Sequence, residues 1–227
     1  MSHPILERLA DPDPETRARA CRDAALDPAA VLLIDALGEA LGDVERAVAR
    51  AASDALARLA REHDVAAALR RALHGRDRRG RWQAARTLAR LEPPGPRLLP
   101  AAVEALDGPD AWEAARLLVD AGRLHGEVLP LLLGLVRGGA SDSLRRMAAH
   151  CLRELAPDLP ECADALIAAS RDASPSVRRA ALTALAGLRA PPPGVRERLR
   201  ETRAREPDPS LRALADRALA LMGEAPR

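Results

Sequence analysis

The fold is decided by residues 172–185, "DASPSVRRAALTAL". Slid along the chain, this stretch recurs as "EPDPSLRALADRAL" at 206–219 and "DPDPETRARACRDA" at 11–24. Looser copies are "GASDSLRRMAAHCL" at 139–152, "GRDRRGRWQAARTL" at 75–88 and "DVERAVARAASDAL" at 43–56. Aligned on the residue after the apolar position, they put Arg17, Ala49, Arg81, Trp112, Arg145, Arg178 and Arg212 in one column, here termed the anchor. Successive anchors are 32, 32, 31, 33, 33 and 34 residues apart. A single period sustained along a chain marks an array of stacked units, not a globule with one centre.

Each unit has an internal grammar with physical sense. Three residues past the anchor the residue is always Ala: Ala20, Ala52, Ala84, Ala115, Ala148, Ala181 and Ala215. A methyl at one fixed place lets a neighbouring helix approach closely, as ridge-into-groove packing requires. Apolar residues one before and seven and ten after the anchor complete a face of period 3.6, seen best in Val177, Ala181, Leu185 and Leu188. Pro14, Pro109, Pro175 and Pro209 are expected in first helical turns, where a missing N–H is tolerated, with Asp or Ser nearby as caps. Partner helices fill the intervals: "PAAVLLIDALGEAL", "DVAAALRRAL", "PRLLPAAVEAL", "EVLPLLLGLV" and "CADALIAAS". The expected fold is therefore all-α, an α-solenoid of about seven antiparallel helix pairs forming one domain over 1–227. Its units run roughly 1–26, 27–60, 61–91, 92–122, 123–156, 157–189 and 190–223.

Composition agrees with that fold and excludes others. Of 227 residues, 48% are hydrophobic, mainly the helix formers Ala and Leu, and 30% are charged, which is not the profile of a disordered chain. All 35 basic residues are Arg, which a GC-rich coding bias explains more readily than selection for phosphate binding, and the net charge is only +2. The start lacks the basic and apolar regions of a signal peptide. The most apolar run, 128–136, is too short to span a bilayer. Cys21, Cys151 and Cys162 have no paired spacing, so a reducing, cytoplasmic location is expected. The polar stretch "GVRERLRETRARE" at 194–206 reads as an outer layer facing water, as in a complete array.

The stretches "EVLPLLLGLVRGGASDSLRRMAAHCLREL" and "DASPSVRRAALTALAGL" resemble HEAT repeats, and more narrowly the short HEAT-like repeats of the phycobilin lyase-related type. The pattern D-x-x-P-x-V-R-x-x-A-x-x-A-L extends over essentially the whole chain and is weakest in units three and four. The resemblance implies a right-handed superhelix. It implies little about activity.

Catalytic signals are few. His3, His63, His74, His125 and His150 are scattered over different units, and the adjacent His150 and Cys151 point about 100° apart on a helix. The His-Glu pairs by which HEAT-built deoxyhypusine hydroxylases hold iron are not present, nor is a G-x-S-x-G or a P-loop. No catalytic residue, cofactor or metal is expected. The anchor arginines 17, 81, 145, 178 and 212 are expected to meet acids of a neighbouring unit's turn, such as Asp172 or Glu206, because a partly buried guanidinium needs a partner.

The positions one, five and eight or nine past the anchor form an outward stripe, concave in HEAT arrays. It comprises Arg22, Arg50, Asp54, Arg58, Trp82, Arg86, Arg90, Glu113, Leu117, Asp120, Arg146, His150, Arg153, Arg179, Thr183 and Arg217. Of these, Arg50, Arg58, Trp82, Arg86, Arg90, Glu113, Asp120, Arg146, His150, Arg153 and Arg179 are the candidate binding residues. Trp82 is placed to stack on a ligand or on Arg86. Trp112, at an anchor, is expected to pack between repeats. The expected function is a non-catalytic interaction scaffold for a protein partner, and an acidic surface on that partner would suit the arginine-rich stripe. The alternative is a nucleic-acid-binding protein similar to the alkylpurine DNA glycosylases, for which Trp82, Trp112, Glu113 and Asp120 are the only candidates. A chromophore-handling role like that of phycobilin lyases ranks third.

Overall fold

The structure is a computed structural model that describes residues 3–155, 159–188 and 191–224. Among them are fourteen α-helices and no strand. The helices are α1 (Pro4–Leu9), α2 (Pro14–Ala24), α3 (Ile34–Ala40), α4 (Arg46–Leu59), α5 (Ala66–Leu73), α6 (Arg78–Leu91) and α7 (Leu99–Ala105), then α8 (Ala111–Gly122), α9 (Val128–Gly138), α10 (Asp142–Leu155), α11 (Pro160–Ala169), α12 (Pro175–Ala186), α13 (Pro193–Arg205) and α14 (Pro209–Leu221). Even-numbered helices carry the anchors, and odd-numbered helices are their partners. Short 3-10 segments, Ala30–Leu33 and Pro96–Leu98, lead into α3 and α7.

Two compact units divide the chain, Met1–Ala105 and Leu106–Arg227. In the first, α2, α4 and α6 pack in sequence, α3 and α5 back them, and α7 closes on α6. In the second, α8, α10, α12 and α14 pack in sequence, backed by α9, α11 and α13. All-α stacking of nearest neighbours follows from the sequence pattern. Each helix has one apolar stripe and needs the next helix to cover it.

The alanine three past the anchor is the pivot of that packing. Ala20, Ala52, Ala84, Ala148, Ala181 and Ala215 are fully buried and Ala115 nearly so. Around it sit the largest enclosed side chains, among them Leu56, Leu118, Met147, Leu152 and Leu166. Polar pairs are enclosed as well: Ser53 and Thr87 link α4 to α6 through their hydroxyls at 2.8 Å, Thr87 also donates to the Gln83 carbonyl, and Arg198 of α13 donates to the Ser170 hydroxyl at 2.6 Å.

Helix starts obey the expected chemistry in most units. Pro14, Pro175 and Pro209 open α2, α12 and α14, and Asp13, Asp77 and Asp208 accept backbone N–H bonds as N-caps of α2, α6 and α14. Pro109 departs from the expectation. It lies in a turn, and α8 begins only at Ala111, one residue before its anchor, whereas the other anchor helices begin three before.

Candidate functional site

The anchor arginines build a ligature that recurs through both compact units. Nη1 of Arg17 donates to the carbonyls of Asp11 and Pro12, which lie six and five residues back, at 2.8 and 3.0 Å. Arg81 holds Gly75 and Arg76 in the same way, Arg178 holds Asp172 and Ala173, and Arg212 holds Glu206 and Pro207. Arg145 takes the Gly139 carbonyl at 2.9 Å. The Nε–Nη2 edge then reaches a carboxylate of the following unit: Arg17 to Asp43, Arg145 to Asp172, and Arg178 to Glu206, each across both oxygens. Arg81 places the same edge on one oxygen of Glu104. The anchors are thus structural ties, as their burial requires.

Charge states follow from this geometry. The hydrogen bonds to Asp43 and Asp172 hold Arg17 and Arg145 above the usual arginine range. Burial pushes Asp43 upward, but the Arg17 hydrogen bond and the Glu45 N–H outweigh it and leave the carboxyl low. Asp172 is lowered chiefly by its hydrogen bond from Arg145.

Two units have no anchor arginine, and a feature missed in the sequence compensates. At Ala49, Nη1 of Arg79 donates to the carbonyls of Asp43 and Val44, the positions six and five back that an anchor would hold. At Trp112, the Ser143 hydroxyl donates to the Leu106 carbonyl, six back, at 3.0 Å, and Ser141 donates to Asp107. Arg79 and Ser143 both stand two residues before the next anchor, a shared register that is the signal by which they could have been found.

The stripe is only partly realised. Trp82 is 4% exposed and Leu117 is buried too, so neither faces a partner: an indole at the margin of the stripe is drawn into the packed side by its apolar area. Arg50, Arg58, Arg90, Glu113 and Arg179 are exposed, and Arg86, Asp120, Arg146, His150 and Arg153 are half-buried. Several are already paired. Arg90 bonds Asp54 at 2.7 Å, Arg153 bonds Glu154 at 2.6 Å, and Arg179 lies on Ser210 and Asp208. Asp120 is held by Arg123 and, at 3.9 Å, by Arg116, which removes much of its acidic break in the stripe.

Trp112 is where the structure brings site residues together. It contacts the following anchor helix, but its ring is not buried between repeats: it remains 60% exposed. The late start of α8 puts it in the first turn. The ring meets His150 of α10 edge-on, with centroids 4.8 Å apart, and the Arg146 guanidinium lies 6.0 Å from its centroid. Arg153 approaches Nδ1 of His150 at 3.3 Å. Because a guanidinium can only donate, this contact favours the neutral tautomer with its lone pair on Nδ1. Burial, reinforced by Arg153 and Arg146, lowers the His150 pKa in the same sense.

Among the described residues the other candidate groups are not poised for chemistry. Among the described residues no three His, Cys, Asp or Glu side chains are grouped to hold a metal ion. Burial pushes the thiols of Cys21 and Cys162 up to about 11 and that of Cys151 to about 12, so none is poised as a nucleophile. An open cleft of about 370 Å³ at Arg198 and Glu201 is lined largely by charges that already satisfy one another. No helix among the described residues is long and apolar enough to cross a membrane.

A stacked array of helix pairs tied by repeated arginines defines a helical-repeat protein. The model of HEAT repeats matches residues 2–89 and 128–220, and the chain belongs to that family. The unmatched interval holds α7 and α8, where the helix start and the anchor both deviate. No curated protein matches the chain by sequence. Among solved structures, the complex of CpcE and CpcF of phycocyanin lyase from Nostoc sp. PCC7120 is 24% identical, covering 83% of this chain and 99% of that one, with a TM-score of 0.39. The archaeal HEAT-like repeats protein of Thermococcus onnurineus is 19% identical over 96% and 85%, with a TM-score of 0.47. A designed armadillo repeat protein in complex with the peptide (KR)4 is 17% identical over 95% and 97%, with a TM-score of 0.40.

Proposed function

We propose that the protein is a non-catalytic interaction scaffold that engages a protein partner of acidic surface through the exposed side of its anchor helices, centred on Trp112 and Arg146. The supporting observation is the pairing of an indole 60% exposed with a guanidinium that has no carboxylate partner among the described residues. Tryptophan and arginine are the side chains that most often anchor protein interfaces, because both bury large areas while keeping a directional polar group. Glu113 and Asp120 fall to the rim of this surface, while Arg50, Arg58, Arg86 and Arg90 belong to the other compact unit and are not assigned to it. Arg153 and Arg179, already engaged with neighbours, add little there. That pairing also counts against a nucleic-acid reading, which needs arginines available to phosphates and several stacking aromatics.

A photo-cross-linker at Arg116, whose side chain is 87% exposed, is to capture the partner, and the complex is then rebuilt from purified components. Calorimetry is expected to show Trp112→Ala and Arg146→Glu each weakening binding by about tenfold or more. Unchanged affinity in both variants overturns the proposal. So does salt-sensitive retention of duplex DNA that is lost in Arg86→Glu plus Arg146→Glu.

A further inference from the structure

The anchor ligature has two halves, and each compact unit contains one complete example, Arg17–Asp43 in the first and Arg178–Glu206 in the second. The donor half is an arginine whose Nη1 is fixed on the two carbonyls before its helix, so that its Nε–Nη2 edge faces the next unit. The acceptor half is a carboxylate six residues before the next anchor, pinned by the backbone N–H two residues on. One oxygen of Asp43 accepts both the Glu45 N–H and Nη2 of Arg17, while the other takes Nε. Asp172 divides its oxygens the same way between the Ser174 N–H and Arg145, as does Glu206 between the Asp208 N–H and Arg178.

One donor half and one acceptor half are incomplete. Arg212 is fixed on the Glu206 and Pro207 carbonyls at 2.7 and 3.1 Å, but no carboxylate among the described residues meets its outer edge. Asp11 stands six residues before Arg17, and its Oδ1 accepts the Asp13 N–H at 2.8 Å, the distance seen in Asp43 and Asp172. No guanidinium among the described residues meets it. Both groups are pre-organised for the same bidentate bond, and neither is deeply buried.

We propose that Arg212 of one copy of this chain binds Asp11 of another, so that copies associate donor edge to acceptor edge. The occupant follows from the complementarity: the missing carboxylate, already held in the required turn, is present on this chain, and so is the missing guanidinium. Such a contact is heterologous, since each copy uses a different surface at each side, and it adds copies one after another. One bidentate pair gives a weak, salt-sensitive association.

Sedimentation velocity on the full chain at rising concentration and low salt tests this. The weight-average sedimentation coefficient is expected to rise with concentration and to fall back when salt is added. Asp11→Asn keeps the acceptor for the Asp13 N–H but loses its charge, and Arg212→Gln loses the bidentate edge. Each alone is expected to weaken self-association by about tenfold or more, the worth of a charge-assisted hydrogen-bonded pair. Mixing the two variants is the decisive arm. Arg212 of the Asp11→Asn chain still has Asp11 of the Arg212→Gln chain, so the mixture is expected to form dimers and stop there. A wild type that stays monomeric at every concentration overturns the proposal. Undiminished self-association of either variant, or a mixture that behaves as its separate components, does so equally. Circular dichroism of each variant shows that it is folded before it is scored.

Discussion

At the scale of single residues, one guanidinium performs two tasks that are usually separate. The anchor arginine shapes the loop before its own helix and ties that helix to the next unit. Arg178 illustrates what is at stake, because its partner Glu206 is 5% exposed on its side chain. Arg178→Ala strands that carboxylate and frees two loop carbonyls, and is expected to cost about 3 kcal/mol in chemical denaturation. The ties also set the acid response. Asp43 and Asp172 are lowered in the folded state. Their contribution is therefore fully present above the unfolded carboxylate value of about 4 and is lost as pH falls through the folded values. Stability measured from pH 6 to pH 2 is expected to fall less steeply in Arg145→Ala, already weaker at neutral pH, than in the wild type. The pairing of anchors with loop acids was legible, since partly buried arginines recur beside recurrent acids. The bare exposure of Trp112 was not, because its register alone made it equivalent to buried arginine stems.

Among the helices, the repeat pattern specifies existence and order well and boundaries less well. α12 and α14 begin where their prolines place them, but α8 begins two positions late relative to its siblings. Its anchor is Trp112, which has no guanidinium to fix the carbonyls of the loop before it. The Ser143 hydroxyl holds only one of them. At Ala49 the two bonds from Arg79 are restored, and α4 starts in the normal register. Glycines in α9 separate local from tertiary demands. Gly134, in the helix interior, would place a Cβ in open space, whereas a Cβ on Gly139, at its end, would lie 2.6 Å from the Leu135 carbonyl and against the Arg145 stem. Gly134→Ala is expected to stabilise by about 0.5–1 kcal/mol through helix propensity alone. Gly139→Ala is expected to destabilise by about 1–3 kcal/mol, since backbone must move. Thermal melts of the two variants should shift in opposite directions.

For the whole molecule, stability is a sum of neighbouring contacts, and the chain has two compact units. Each holds one tryptophan: Trp82, buried, in the first and Trp112, exposed, in the second. Urea unfolding followed separately in Trp82→Phe and Trp112→Phe variants is expected to give transitions that do not coincide. Superposable curves would show one cooperative unit instead. The sequence by itself determined the all-α class, the period, the packing alanines and the pairing of anchors with turn acids of the next unit, as at Asp172 and Glu206. All of these depend on contacts that repeat, so each copy of the motif reports on the others. Only the tertiary structure decided which stripe residues face water, that Trp82 is enclosed while Trp112 is bare, and that Arg79 and Ser143 take over where an anchor is missing. Those outcomes arise where one unit differs from the rest, and there the answer lies in side chains brought close from another helix, at distances that a periodic pattern does not encode.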